Sequence, residues 1–235
     1  MRVDAVVFDM DGLMLDTEPL YRDAWQEAAS RLGYEIDDAL YATFTGRSTK
    51  DCEADLLRHS GSAFPLDAFR RHWPSLWEAA AGRGIDTKPG LLELLAFLEE
   101  RSLATAVATS SDAAYAALSL RHAGLGERFR VLVTADQVPR GKPAPDLFLE
   151  AARRLGVDPA RCLALEDSSA GILAARAAGM TGILVPDLAE PTEAAVAAAA
   201  HVFGSLHEVR GLLATTLAEA RCEPVQNARN PPCRS

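Results

Sequence analysis

Asp9 and Asp11 stand two positions apart where the apolar run AVVF at 5–8 ends, within AVVFDMDGLMLDTE. Residues i and i+2 of an extended segment project to the same side, so both carboxylates face one pocket while Met10 turns away. Like charges that close raise each other's pKa or call for a counter-ion. The ends of other apolar runs carry complementary groups: Thr109-Ser110-Ser111, Glu166-Asp167-Ser168 and, in a loop, Gly141-Lys142-Pro143. In open parallel sheets ligands gather at the carboxyl ends of the strands. Collected at one rim, these are carboxylates, hydroxyls, loop amides and one ammonium. All-oxygen ligands of this hardness suit Mg²⁺, which takes one or two carboxylates and shares its other positions with water and a substrate phosphate. Thr109 and the amides after it, that of Ser110 first, would face the phosphate, and Lys142 would add a point charge. One carboxylate would attack phosphorus to give an aspartyl-phosphate. The other would protonate the departing alcohol and then deprotonate the water that cleaves the acyl phosphate. Phosphate monoesters demand accelerations of up to ~10²¹.

The elements that must position these groups are legible as an alternation of short apolar runs and longer amphipathic stretches. Residues 5–8, 104–108, 131–133, 163–165 and 183–185 are short, predominantly apolar runs of the length expected for strands covered on both faces, with a last short strand at 201–203. Between them lie helical patterns at 91–101, opened by Pro89, and at 113–122, 146–155 and 170–178, closed by Gly124, Gly156 and Gly179. The alanine-rich 194–200 reads as a surface helix. Strand, helix, strand in this order specifies right-handed crossovers and a doubly wound parallel α/β sheet.

Residues 16–87 break the alternation, with several helical patterns and no strand. Leu20, Trp25, Ala28, Ala29 and Leu32 share a helix face that Thr17 could cap; Ser48 with Asp51 fits a capping box; Phe69, Trp73, Leu76, Trp77 and Ala80 form a third stripe, which Pro74 should kink or split. The expected organisation is an α/β core of 1–15 with 88–220, an inserted all-helical cap domain at 16–87, and a disordered tail at 221–235. Hinges fall near 15–17 and 87–90.

With 49% hydrophobic residues the chain can bury a full core, and a net charge of −9 with no Lys/Arg cluster excludes a phosphate backbone as partner. Nucleic acid and membrane are therefore not expected partners, the default location is cytoplasmic, and the default state is a monomer. The four cysteines show no CxxC spacing, and the five histidines never fall at i, i+4.

FDMDG at 8–12, ATSS at 108–111, GKPAPDLF at 141–148 and LEDSSAGILAARAAGM at 165–180 resemble, in order, the four motifs of the haloacid dehalogenase superfamily. The likeness spans residues 1 to about 215 and points to the branch with a helical cap that contains β-phosphoglucomutase and many small-molecule phosphatases. The resemblance implies a Rossmann-like core with Asp9 as nucleophile and Asp11 as acid/base. It implies that Thr109 and Lys142 bind the phosphoryl group, and that Asp167 completes a Mg²⁺ site with the Asp9 carboxylate and the Asp11 backbone carbonyl, supported by Glu166. Arg47 and Ser48, in TGRST of the cap, are candidate substrate contacts; Ser48 fits a helix cap equally well. The mutase carries a histidine where alignment places Tyr21, which makes Tyr21 a further substrate candidate and favours the phosphatase members. Asp11 argues against the dehalogenases, which use one aspartate, and against the phosphonatases. The expectation is a Mg²⁺-dependent phosphatase of a small phosphorylated metabolite, sugar phosphate first and nucleotide second. The alternatives are a phosphosugar mutase and a catalytically inactive binding or regulatory protein on the same fold.

Overall fold

The structure is a computed structural model that describes residues 2–44 and 49–222. Arg47, Ser48 and the tail from residue 223 lie outside the described residues. Six parallel strands, β1 (Ala5–Phe8), β2 (Ala104–Ala108), β3 (Val131–Val133), β4 (Cys162–Glu166), β5 (Thr181–Leu184) and β6 (His201–Val202), form one sheet in the order β3-β2-β1-β4-β5-β6. The order reverses at β1. That reversal is the topological switch point where open α/β sheets place their ligands.

The apolar runs are explained by two cores, one on each face. Val6 and Phe8 pack with Val107, Leu165, Ile183 and side chains of three helices, α5 (Leu91–Glu100), α6 (Ala113–His122) and α10 (Leu206–Cys222). Ala5 and Val7 face the other way, against α7 (Asp146–Leu155) and α8 (Ser169–Ala177). Alternate residues of β1 thus serve opposite cores, so no position of the strand is free to be polar until it ends. The alanine-rich stretch forms α9 (Glu193–Ala198).

Between β1 and α5 the described residues form four helices, α1 (Glu18–Arg31), α2 (Asp38–Ala42), α3 (Thr49–Ser60) and α4 (Leu66–Ala81). They bury a cluster of their own, in which Trp25 meets Phe69 edge to face at 5.1 Å and Phe44 at 5.6 Å. Pro74 does not split its helix: α4 runs unbroken from Leu66 to Ala81. Thr17 precedes α1 but makes no side-chain cap bond, because its hydroxyl is committed elsewhere. The short α2, capped by Asp37 through the Leu40 amide at 2.7 Å, has too few residues to show a period in the sequence.

Two linkers join these helices to the sheet and pair as a short antiparallel ribbon: the Asp16 amide donates to the Asp86 carbonyl and the Lys88 amide to the Met14 carbonyl, each at 2.9 Å, around a Leu15–Thr87 bridge. Gly90 closes the ribbon with φ at +89°, and a Cβ there would stand 2.5 Å from the His207 backbone nitrogen. No described helix is long and apolar enough to cross a membrane.

Phe69 is fully buried at the centre of the helical cluster. Truncation to Ala leaves a ring-sized void, so Phe69→Ala is expected to lower unfolding stability by about 3–5 kcal/mol, read from chemical denaturation.

Candidate active site

The strand register sets the site. Phe8 lies opposite Val107 on one side and Leu165 on the other, so the next residues, Asp9, Ala108 and Glu166, emerge at one level of the rim. The Asp9 amide still donates to the Leu165 carbonyl at 2.9 Å, which holds its Cα in line with the sheet. Beyond it the chain turns sharply: the Met14 and Leu15 amides both donate to the Met10 carbonyl at 3.0 Å.

That turn separates the two aspartates. Lys142 brings its ammonium into contact with the Asp9 carboxylate, stands 2.5 Å from Glu166 Oε1 and donates to the Ala108 carbonyl at 3.0 Å. Asp11 instead accepts from the Thr17 hydroxyl on Oδ1 and from the Ser111 hydroxyl on Oδ2, both at 2.8 Å. The expected repulsion is thus relieved on different partners: an ammonium for Asp9 and two hydroxyls for Asp11.

Asp9, Glu166 and Asp167 each offer a carboxylate oxygen within 4.8 Å of the others. The Asp11 carboxylate is not in this set, so any share it takes in holding a cation falls to its backbone carbonyl. Three carboxyl groups and one ammonium leave the cluster short of positive charge, and Asp167 has no ion pair among the described residues. The donor chemistry therefore fits a hard divalent cation.

The electrostatics agree. Burial pushes the Asp9 carboxyl up to about 8 against the pull of Lys142, with Glu166 adding to the rise. Asp167 is driven well above the carboxylate range by burial and by its neighbours Asp9 and Glu166. Asp11 is raised by burial, with the Thr17 and Ser111 hydroxyls acting the other way. Burial opposes the Lys142 charge, but Asp9 and Glu166 outweigh it and hold its pKa above the ordinary value. Without a cation, the cluster favours protons on its acids.

Local backbone makes room for these groups. Gly12 has φ at +84°, and a Cβ on it would stand 2.3 Å from Asp167 Oδ2. Glu166, fully buried, lies flat on the first turn of α8, where its Oε2 accepts from the Ser168 hydroxyl at 3.0 Å. Ser168 in turn caps the helix by accepting from the Gly171 amide at 3.0 Å, so it serves both the cap and the site.

The remaining candidates divide. Thr109 is buried and its hydroxyl accepts from the Ser111 amide at 3.0 Å, which shapes the turn that aims Ser111 at Asp11. The Ser110 side chain is exposed. Tyr21 lies in an aromatic group with Trp73, Trp77 and Tyr115, 5.3 Å from the Tyr115 ring; burial first and the Asp11 charge second raise its pKa well above the phenol range. Arg47 and Ser48 lie outside the described residues. Sequence reasoning did not single out Ser111, Thr17 or Lys88. The first stood in a quoted hydroxyl run, the second was assigned to a helix cap, and the third carried no motif.

A Cβ at position 171 would fall 1.9 Å from the Glu166 carboxyl carbon. Gly171→Ala is therefore expected to evict Glu166, costing about 1–3 kcal/mol of stability in chemical denaturation.

A model of the haloacid dehalogenase-like hydrolases matches residues 3–179. The fructose-1-phosphate phosphatase YqaB of Escherichia coli (strain K12) is 34% identical over 77% of this chain and 96% of its own. The phosphorylated carbohydrates phosphatase of Thermotoga maritima is 32% identical over 77% of this chain and 84% of its own. Among solved structures, CbbY of Rhodobacter sphaeroides in complex with xylulose-(1,5)bisphosphate superposes with a TM-score of 0.77 at 31% identity, covering 88% of this chain and 96% of that one. With the sheet order, the rim carboxylates and Lys142 as described, the chain belongs to the haloacid dehalogenase-like hydrolase family.

Proposed function

We propose that the protein is a Mg²⁺-dependent phosphatase of small phosphorylated metabolites, sugar phosphates first, working through an aspartyl-phosphate on Asp9. The observation that carries this reading is the buried Asp9 carboxylate held between the Lys142 ammonium and two further carboxyl groups. The relatives named for fructose 1-phosphate and for phosphorylated carbohydrates support the substrate class.

In this mechanism Asp9 attacks phosphorus in line with the ester oxygen, and Asp11 gives its proton to that oxygen as the P–O bond breaks. Asp11 then takes a proton from water, which attacks the phosphorus of the acyl phosphate and returns Asp9 as a free carboxylate. Thr17 and Ser111 hold Asp11 in place through hydroxyl donors, which leaves it able to gain and lose a proton. Lys142 would neutralise phosphoryl oxygens, and the amides after Thr109 would add dipoles. Asp9 and Asp167, with the Asp11 carbonyl and Glu166 beside them, would hold Mg²⁺, which supplies charge neutralisation on the transferring group. The helices of residues 16–87 act as a cap that closes over the rim and excludes water.

Release of inorganic phosphate from a panel of sugar phosphates and nucleotides tests the reading. The wild type is expected to release phosphate with Mg²⁺ and to lose release with a chelator, while Asp9→Asn loses at least about a thousandfold. Interconversion of hexose phosphate isomers without net release would favour the mutase instead.

A second test uses acidity. With the Asp9 carboxyl at about 8 in the metal-free protein, cation binding displaces a proton below that pH. Apparent Mg²⁺ affinity should rise with pH between about pH 6 and 8, by about tenfold per pH unit for each proton displaced. Calorimetry in buffers of different ionisation enthalpy should report proton release below pH 8 and less above it.

A further inference from the structure

The Asp9 end of the acid cluster is shielded from solvent: Lys142 is 4% exposed, Asp9 9% and Glu166 not at all, while Asp167 is half-buried. Movement of what lies over the rim would widen the access of a phosphoester to Asp9. The two linkers are the covalent route by which the helical unit could swing, and each is fixed on its sheet side. Leu15 is fully buried and tied to the Met10 carbonyl, while Gly90 is packed on the start of α10. Movement must therefore fall on the few residues between, 16–18 on one linker and 86–88 on the other.

Lys88 lies within that stretch. Its ammonium donates to Asp16 Oδ1 at 2.9 Å, on the opposite linker, and to Asp187 Oδ1 at 2.6 Å, in the loop after β5. Lys88 and Asp187 are 19% and 15% exposed, so this pair is shielded, whereas Asp16 at 42% is open to water. The other oxygen of Asp187 stands 3.5 Å from where a Cβ of Gly12 would lie, on the side that faces Asp167. One cation thus joins both moving linkers to a rim loop that borders the acid cluster. A small cavity of about 140 Å³ beside it, lined by Gly12, Lys88, Asp187 and Ser205, leaves room for the lysine stem to move.

We propose that Lys88 is the latch of the hinge: by tying Asp16 and Asp187 together it holds the helical unit closed and sets how often the buried cluster opens to a phosphoester. The proposal rests on the reading of residues 16–87 as a cap. Lys88 is a positioning residue; it touches no reacting group. A shielded ion pair carries more of the closed state than a surface one, and salt weakens the exposed Asp16 arm first. Removing the charge shifts the population toward the open form.

The test compares the full-length wild type with Lys88→Met, which keeps most of the stem, and Lys88→Arg, which keeps the charge. Hydrogen exchange at residues 14–17 and 86–88 should be at least about fivefold faster in the Met variant, with strands β1, β2 and β4 unchanged, and near wild type in the Arg variant. Stopped-flow binding of orthovanadate, followed by tryptophan fluorescence, should be several-fold faster in the Met variant. Raising salt to about 1 M should speed the wild type toward it while leaving the Met variant unaltered. Linker exchange within twofold of wild type, or a rise spread through the sheet, overturns the latch. If orthovanadate fails to bind the wild type, the phosphoryl-transfer reading falls and the exchange data alone decide the latch.

Discussion

Burying several carboxyl groups at one strand end is tolerable here because a single ammonium is buried with them. Lys142 reaches Asp9 and Glu166 at once and also donates to the Ala108 carbonyl, so its three donor directions are taken by two carboxylates and a strand-end carbonyl. An ammonium without such partners could not be held charged in an apolar setting, and the carboxylates without it would be protonated or pushed apart. The packing of the carboxyl groups next to this anchor is correspondingly tight. Glu166 is pulled flat against α8, which only a glycine at 171 permits, and Asp167 is left to face the opening beside Gly12.

The two aspartates of the DxD motif separate in environment although they are neighbours in sequence. Asp9 stays on the strand and inherits the charged cluster, whereas Asp11 enters the tight turn at Met10 and accepts from two hydroxyls. Environments that differ in this way set two like residues apart in their electrostatics. Thr17 illustrates how the turn and the helices are joined: its hydroxyl serves Asp11 rather than α1, so the start of the first helix is tied directly to the acid/base candidate. Tyr21, one turn further along α1, brings the aromatic group toward the same carboxyl.

The contact between the helical unit and the sheet has an apolar part and an ionic part. The apolar part is the contact of Tyr21 and Trp77 with Tyr115, which joins α1 and α4 to α6 of the sheet domain. The ionic part is Lys88 with its two aspartates. Apolar contact resists opening without regard to salt, whereas the ion pairs are responsive to it. A hinge held by both is firm at rest and open to modulation.

The alternation of apolar runs and amphipathic stretches determined the fold class, the strand positions to within two residues and the order in which the rim motifs arrive. Each of these depends on local periodicity, which a chain carries in its own order of residues. Motif chemistry likewise made Asp9, Asp11, Lys142, Glu166 and Asp167 recognisable as one set. Tertiary structure alone decided which of them touch. The Lys142–Asp9 contact spans 133 residues and Lys88–Asp187 spans 99, and no periodic signal relates positions that far apart. It also decided that Ser111 rather than Ser110 turns toward Asp11, that Thr17 leaves its helix for the site, and that Pro74 is absorbed without breaking α4. For Ser111 a partner 100 residues away, and for Thr17 one outside its own helix, outweighed the local preference. A hydroxyl or an ammonium brought out of water takes the partner that burial makes costly to leave unpaired.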